Sequence, residues 1–217
     1  MVIRPAVTVL IAASLEVAGY SSRTPAAARQ TSEPLLLDMK GDGYSLTFVD
    51  DGVTFDLNGA GQSQRVAWTA PGSDDAFLAL DENHNGRIDD GHELVGGASG
   101  PPNGFAMLAA LDGFETDADL KAATNRHPDG VLTPADAIFR QLLLWTDANH
   151  NGISEEDELE SLTHAGIARI YLGYKDISAS DPHGNLLRYQ ASVSIRNRSG
   201  VEILRPLTSI RFVTAQQ

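Results

Sequence analysis

The chain has 217 residues, enough to bury the core of one ordinary domain or two small ones, and its 42% hydrophobic content fits a globular fold. With 29 acidic against 16 basic residues the net charge is −13, which argues against nucleic acid and anionic membrane surfaces as partners and makes cations the natural counterpart. The lack of cysteine excludes disulfides, zinc thiolate sites and cysteine nucleophiles.

Residues 1–28 read as a signal-peptide-like leader: Arg4 supplies positive charge, and Ala6 to Ala13 is an apolar run too short to span a membrane. Val17 to Ser22 resembles a lipoprotein cleavage box in which Tyr20 replaces the cysteine that carries lipid. Ala26 and Ala28 instead suit an ordinary signal peptidase, so the expectation is an exported, non-lipidated protein, periplasmic or extracellular. Residues 29–34 continue a disordered tether, and 35–217 form the folded domain.

Short strands are expected at Leu35–Leu37, Ser45–Val49, Val53–Phe55, Arg65–Trp68 and Phe77–Leu80, with Asp51 and Gly52 as a hairpin turn. Among them, Asp38 with Asp42 and Gly43, and Asp56 with Asn58 and Gly61, start like metal loops. The first has Lys40 at its third position and the second Ala60 at its fifth, so both read as turns.

Two later stretches follow the cation-loop pattern more closely. In Asp147–Glu158, oxygen ligands fall at positions 1, 3, 5, 7, 9 and 12: Asp147, Asn149, Asn151, the carbonyl of Ile153, Glu155 and Glu158. Gly152 at position 6 permits the sharp turn, and such a set matches the six to eight oxygens that Ca²⁺ takes. Asp81, Asn83, Asn85, the carbonyl of Arg87 and Asp89 repeat the opening, but the closing Glu93 stands at position 13. Either that loop has an extra residue, or Asp89, Asp90 and water complete its shell. Metal-free Asp/Asn/Gly turns are the alternative for both.

Between these loops the Gly/Pro-rich residues 96–104 lead into helical signals. Phe105, Leu108 and Ala109 share a face, and Thr116 with Asp119 caps a short helix. Asn125–Asp136 is a weaker loop frame, carrying His127 at position 3 and Pro128 at position 4. A helix with apolar face Ile138, Phe139, Leu142 and Leu143 is expected before the Asp147 loop, and one capped by Ser154 and Asp157 and ended by Gly166 after it. Strands are then expected at Ile167–Tyr174, Leu187–Arg196, Val201–Leu204 and Ser209–Val213. Leu187 to Arg196 alternates between apolar and polar residues, one face buried and one wet. The predicted fold is α+β: a central EF-hand-like loop-helix region flanked by short antiparallel strands from both ends of the chain.

The segments PLLLDMKGDG, GVTFDLNGAG, FLALDENHNGRIDDGHEL, NGFAMLAALD and LLLWTDANHNGISEEDELESL, followed by GIARIYL, together resemble a bacterial EF-hand-like calcium-binding domain found in secreted proteins of the RTX haemolysin type. The resemblance covers about Glu33 to Phe212. It implies calcium binding in an extracytoplasmic setting, with Asp81, Asn83, Asn85, Asp89 and Glu93, and Asp147, Asn149, Asn151 and Glu158, as ligands. Lys40 and Ala60 depart from the acidic pattern, and the glycine-rich RTX nonapeptides are absent.

No enzymatic function is expected. Gly91, His92 and Glu93 begin like a zinc-protease helix, but the second histidine would fall at Gly96. His84 and His150, at position 4 of their loops, read as solvated. The expected function is calcium binding that stabilises the fold, with calcium ions as partners. The alternative is a calcium-dependent, dockerin-like module for an unidentified protein partner.

Overall fold

The computed structural model describes residues 32–98, 103–197 and 199–215; the leader and residues 29–31 of the tether lie outside them. In chain order the strands are β1 (Leu35–Asp38), β2 (Val53–Phe55), β3 (Gln64–Val66), β4 (Asp75–Ala79), β5 (Val131–Leu132), β6 (Leu143–Trp145), β7 (Leu159–Ser161), β8 (Ile167–Tyr171), β9 (Lys175–Ser180), β10 (Leu186–Arg196) and β11 (Glu202–Arg211). Two short α-helices, α1 (Gly104–Leu111) and α2 (Asp117–Ala122), lie between β4 and β5.

The main sheet is antiparallel in the order β5-β8-β10-β11-β1-β4-β6-β7, with β9 also on β10; β2 and β3 form a separate pair. β1 occupies the middle, paired with β4 on one side and β11 on the other. Its run of leucines is therefore buried on both faces. Leu35 and Leu37 join a core with Phe105, Leu108, Phe139 and Ile170, while Leu36 joins a second core with Trp68, Phe77, Trp145 and Phe212. Since successive side chains of a strand point to opposite faces, one sheet separates the two cores. The α1 side covers the first and the β2–β3 pair the second.

This corrects the predicted α+β, EF-hand-like class: the protein is mostly β, with one curled antiparallel sheet. The helix expected before the Asp147 loop is a single 3-10 turn at Ile138–Arg140 followed by β6, and the one expected after it is a 3-10 turn at Glu156–Glu158 followed by β7. The physical reason lies in Leu142 to Trp145, a short unbroken apolar run that fits a buried strand as well as one helical face. Tertiary pairing with Phe77, Leu78 and Ala79 of β4 decides for strand. Ser154, read as a helix cap, spends its hydroxyl elsewhere, and the capping box belongs to Glu155 and Glu158.

Other elements fall near their expected places. α2 begins at Thr116, whose side chain accepts from the Asp119 N–H, and α1 presents Phe105 and Leu108 to the core. Ser45–Val49 is not a strand: it contributes one bridge, Leu46 to Thr69, and a 3-10 turn at Val49–Asp51. The two final strands are one, β11, running through Pro206. Proline is tolerated there because pairing with β1 begins only at Leu207, so no ladder N–H is needed on that side. On the face of β10 read as wet, Ser194 is buried and donates to Glu202 Oε2 at 2.7 Å.

Candidate metal centre

The Asp147 loop is the connection of a β-hairpin. β6 and β7 pair with Leu143 opposite Ser161 and Trp145 opposite Leu159, so residues 146–158 return the chain directly on itself. The Asp81 loop is closed similarly: Leu80 N–H donates to the Glu93 carbonyl, Val95 N–H to that of Leu78, and Ala79 bridges Leu94.

Within each loop the leading aspartate organises the backbone. Asp147 Oδ1 and Oδ2 accept from the N–H groups of Asn151 at 3.0 Å and Gly152 at 2.9 Å. Asp81 does the same for Asn85 at 3.1 Å and Gly86 at 2.8 Å. Position 4 of both loops is left-handed, with φ of 60° at His150 and 58° at His84, and position 6 is glycine at 72° and 80°. At Gly152 a side chain would meet Val53, so glycine answers both the conformation and the packing there.

The remaining donors converge in matching fashion. The amides of Asn149 and Asn151 donate to Glu155 at 3.3 and 2.8 Å, and those of Asn83 and Asn85 to Asp89 at 3.1 and 2.6 Å. Glu158 accepts from the backbone of Asn149 and Glu155, both at 3.4 Å, while Glu93 accepts from that of Asn83 at 3.4 Å and Asp89 at 2.8 Å. Glu93 at position 13 thus does what Glu158 does at position 12, and the Asp81 loop simply carries one more residue. The carbonyl-donating positions, Arg87 and Ile153, leave their side chains exposed, as a residue used only through its backbone can.

The charges around these loops are acidic. The lysine and arginine ion pairs among the described residues, such as Lys40–Asp74, Arg169–Glu202, Arg196–Glu202 and those of Glu33, involve no residue of either loop, whereas His92 Nδ1 lies 3.1 Å from Asp90 within the Asp81 loop. Burial pushes the Glu93 and Glu158 carboxyls above the ordinary carboxylate value, whereas the Asn151 amide, and then Glu158, hold that of Glu155 below it.

Four sets of contacts have no local signal in the sequence. Trp68, distant in the chain, donates its indole N–H to Asp147 Oδ2 at 2.8 Å, and Trp145 donates to Glu158 Oε2 at 3.3 Å. Ser154 links the two loops at position 8: its hydroxyl accepts from Ile88 N–H at 2.7 Å and reaches the Ile88 carbonyl at 3.3 Å. His150, read as solvated, places its ring nitrogens 2.7 Å from the carbonyl oxygens of Thr69 and Asp51 and so ties the loop to the β2–β3 layer. The Asn125 frame does not share this geometry. Asn125 itself is left-handed, position 4 is Pro128, and Asp136 anchors Gly113 and Thr133 instead.

A β-sheet domain with paired acidic hairpin loops is thus the class of protein that fold and site define. The chain belongs to the SPM-domain family, whose description matches residues 35–204. It is also similar to the iron-regulated protein FrpA of Neisseria meningitidis serogroup C, at 34% identity over 168 residues, which is 74% of this chain and 14% of that protein's length. The family and the short helices correct the assignment to the EF-hand-like domains of RTX-type proteins and the EF-hand, RTX-associated and calcium-binding labels that came with it. No helix of the described residues is long and apolar enough to cross a membrane.

Proposed function

We propose that the domain binds hard divalent cations, with calcium the natural one, through the Asp81 and Asp147 loops, and that the bound ion stabilises the sheet. The observation that carries this reading is the shared bonding pattern: in two loops with different closing spacing the leading aspartate holds backbone N–H groups, asparagine amides donate to the position-9 carboxylate, and the closing glutamate accepts from N–H groups near the start of the loop. Asn151 Oδ1 and Asn85 Oδ1 accept from Ile153 N–H at 2.7 Å and Arg87 N–H at 2.8 Å, and each carbonyl oxygen has a second lone pair to offer a cation. Asp147, Glu155 and Glu158 place three carboxylates in one loop, and a divalent cation would offset the negative charge they carry there.

An ion that binds only the folded chain stabilises it by about 2.7 kcal/mol at a hundredfold excess over Kd. With two neutral amides in the shell, affinity on the order of 10⁻⁶ to 10⁻³ M is expected, suited to calcium outside the cytoplasm. Thermal unfolding followed in millimolar calcium and in chelator tests the reading. Glu158→Gln and Asp147→Ala are each expected to lose most of the shift. Identical unfolding of the wild type in both solutions, with no heat of binding by calorimetry, would overturn it.

A further inference from the structure

We propose that Asn58 is a modification site, deamidated spontaneously with the help of the next backbone nitrogen, and that the fold selects it from the four Asn–Gly pairs of the chain. The pairs are Asn58–Gly59, Asn85–Gly86, Asn103–Gly104 and Asn151–Gly152. Glycine after asparagine favours this chemistry because it lacks the Cβ that would crowd its own nitrogen and restrict its backbone. The step balances with water as its sole co-reactant. The Gly59 backbone nitrogen attacks Asn58 Cγ and gives up its proton to solvent, the Cγ–Nδ2 bond breaks, and Nδ2 leaves as ammonia. Water then opens the succinimide ring at either carbonyl, leaving aspartate or isoaspartate at residue 58.

Exposure does not single out Asn58, because Asn85 and Asn151 are exposed as well. Hydrogen bonding does. Asn151 Oδ1 accepts from Ile153 N–H at 2.7 Å while its amide donates to Glu155 Oε1 at 2.8 Å. Asn85 is held in the same way, by Arg87 N–H at 2.8 Å and Asp89 Oδ2 at 2.6 Å. Asn103 is buried as the N-cap of α1, its Oδ1 accepting from Ala106 N–H at 2.9 Å and its amide donating to the Tyr174 hydroxyl at 3.2 Å. Each of these amides must break both bonds before its Cγ can turn to the following nitrogen. The Asn58 side chain makes no hydrogen bond to any described residue and turns freely.

The attacking nitrogens differ too. Gly86 N–H donates to Asp81 Oδ2 at 2.8 Å and Gly152 N–H to Asp147 Oδ2 at 2.9 Å, so ionising either nitrogen sets negative charge against a carboxylate. Gly59 N–H donates to the neutral carbonyl of Asp56 at 3.2 Å, the long end of the ordinary range. The Asp56 carboxylate is occupied by the N–H groups of Ala60, Gly61 and Gln62. Gly59 is left-handed at φ 62°, and a Cβ there would fall 2.0 Å from the His92 ring. A bulkier residue that would slow the reaction therefore does not fit, and the turn keeps its labile pair. The Asp56 carbonyl also accepts from Gly91 N–H at 2.9 Å, so isoaspartate would lengthen the backbone beside the tie that joins this turn to the Asp81 loop.

Trypsin, which cuts after lysine and arginine, places each pair in a peptide of its own: 41–65, 66–87, 88–121 and 141–169. The test holds the full chain folded at mildly alkaline pH without added metal, digests it at intervals and follows by mass spectrometry the exchange of amide for carboxyl in each peptide. Peptide 41–65 is expected to convert about tenfold faster or more than any of the others, the rate ratio set by hydrogen bonds that only they must break. In concentrated urea the four rates are expected to converge to within a few-fold. Asn58→Gln, whose longer side chain has to close a larger ring, is expected to abolish the fast release of ammonia. Equal rates in the folded chain, a faster conversion at another pair, or ammonia release unchanged in Asn58→Gln would each overturn the proposal. So would a preference for Asn58 that persists in urea, because local sequence and not the fold would then select it. The measurement uses no cation, so its outcome is separate from that of the loop reading.

Discussion

Trp68 and Trp145 show how single residues couple the core to the surface. Both are fully buried, their rings 5.6 Å apart, yet each indole N–H ends on a carboxylate at the mouth of a loop. They are the only tryptophans of the chain, so emission can be assigned by deleting one at a time. Calcium is expected to change the emission of both Trp68→Phe and Trp145→Phe; a response confined to one would show that the other indole does not sense its loop. Trp68→Phe also removes a hydrogen bond to a charged group and is expected to destabilise the fold by about 1.5–3 kcal/mol in a urea titration. Glu202 offers a pH test away from the loops. Hydrogen bonds from Ser194 and Arg196, aided by Arg169, hold its carboxyl below the ordinary value of 4.5. A lowered folded-state value means that its contribution is present above pH 4.5 and is lost as pH falls through the folded value. Glu202→Gln is therefore expected to be less stable at neutral pH and to show a shallower loss on acidification. An unchanged acid limb would count against the pairing.

At the scale of elements, the hairpins explain why acidic loops need no helices to hold them. β6 and β7 fix the two ends of the Asp147 loop by ladder pairing, and β4 with Leu94 does so for the Asp81 loop. Ser154 then joins the loops through buried Ile88. Ser154→Ala leaves the Ile88 N–H unsatisfied in the interior, at a cost of about 1–3 kcal/mol. The same change is expected to separate calcium binding at the two loops into independent steps. Calorimetry on this variant checks it: two-loop binding as in the wild type, with unaltered stability, would mean that the serine bond carries no coupling.

For the whole molecule the consequential arrangement is the pairing of the first strand with the last. β11 lies between β10 and β1, so the sheet is not complete until the end of the chain has been added. A chain cut after Gly200 loses the strand to which both neighbours bond and is expected to lack cooperative unfolding and the calcium-induced shift. Leu36→Ala, which empties a fully buried position opposite Phe77, is expected to cost about 2–5 kcal/mol. Cooperative melting of the truncated chain would show that residues before Gly200 fold alone and that the sheet order is not the source of stability.

The turns were legible from sequence because their chemistry is local. An aspartate that caps its own loop, a residue tolerant of left-handed backbone at position 4 and a glycine at position 6 act within a few residues, and Asp81, Asp147 and even Asp38 carry that signature. Most strand positions and both short helices were legible for the same reason, through alternation and capping. What flanks the loops was not. Leu142 to Trp145 and Leu159 to Leu162 suit a helix face or a strand equally, and only hydrogen bonding to β4 and between β6 and β7 settles the choice. The partners of the loop residues, Trp68 for Asp147, Ser154 for Ile88 and Asp75 beside Asp38, come from segments far apart in the chain. Short-range turn chemistry by itself determined where the acidic loops begin; tertiary pairing decided that they are hairpins and what stands against them, because contacts of that range depend on sheet order.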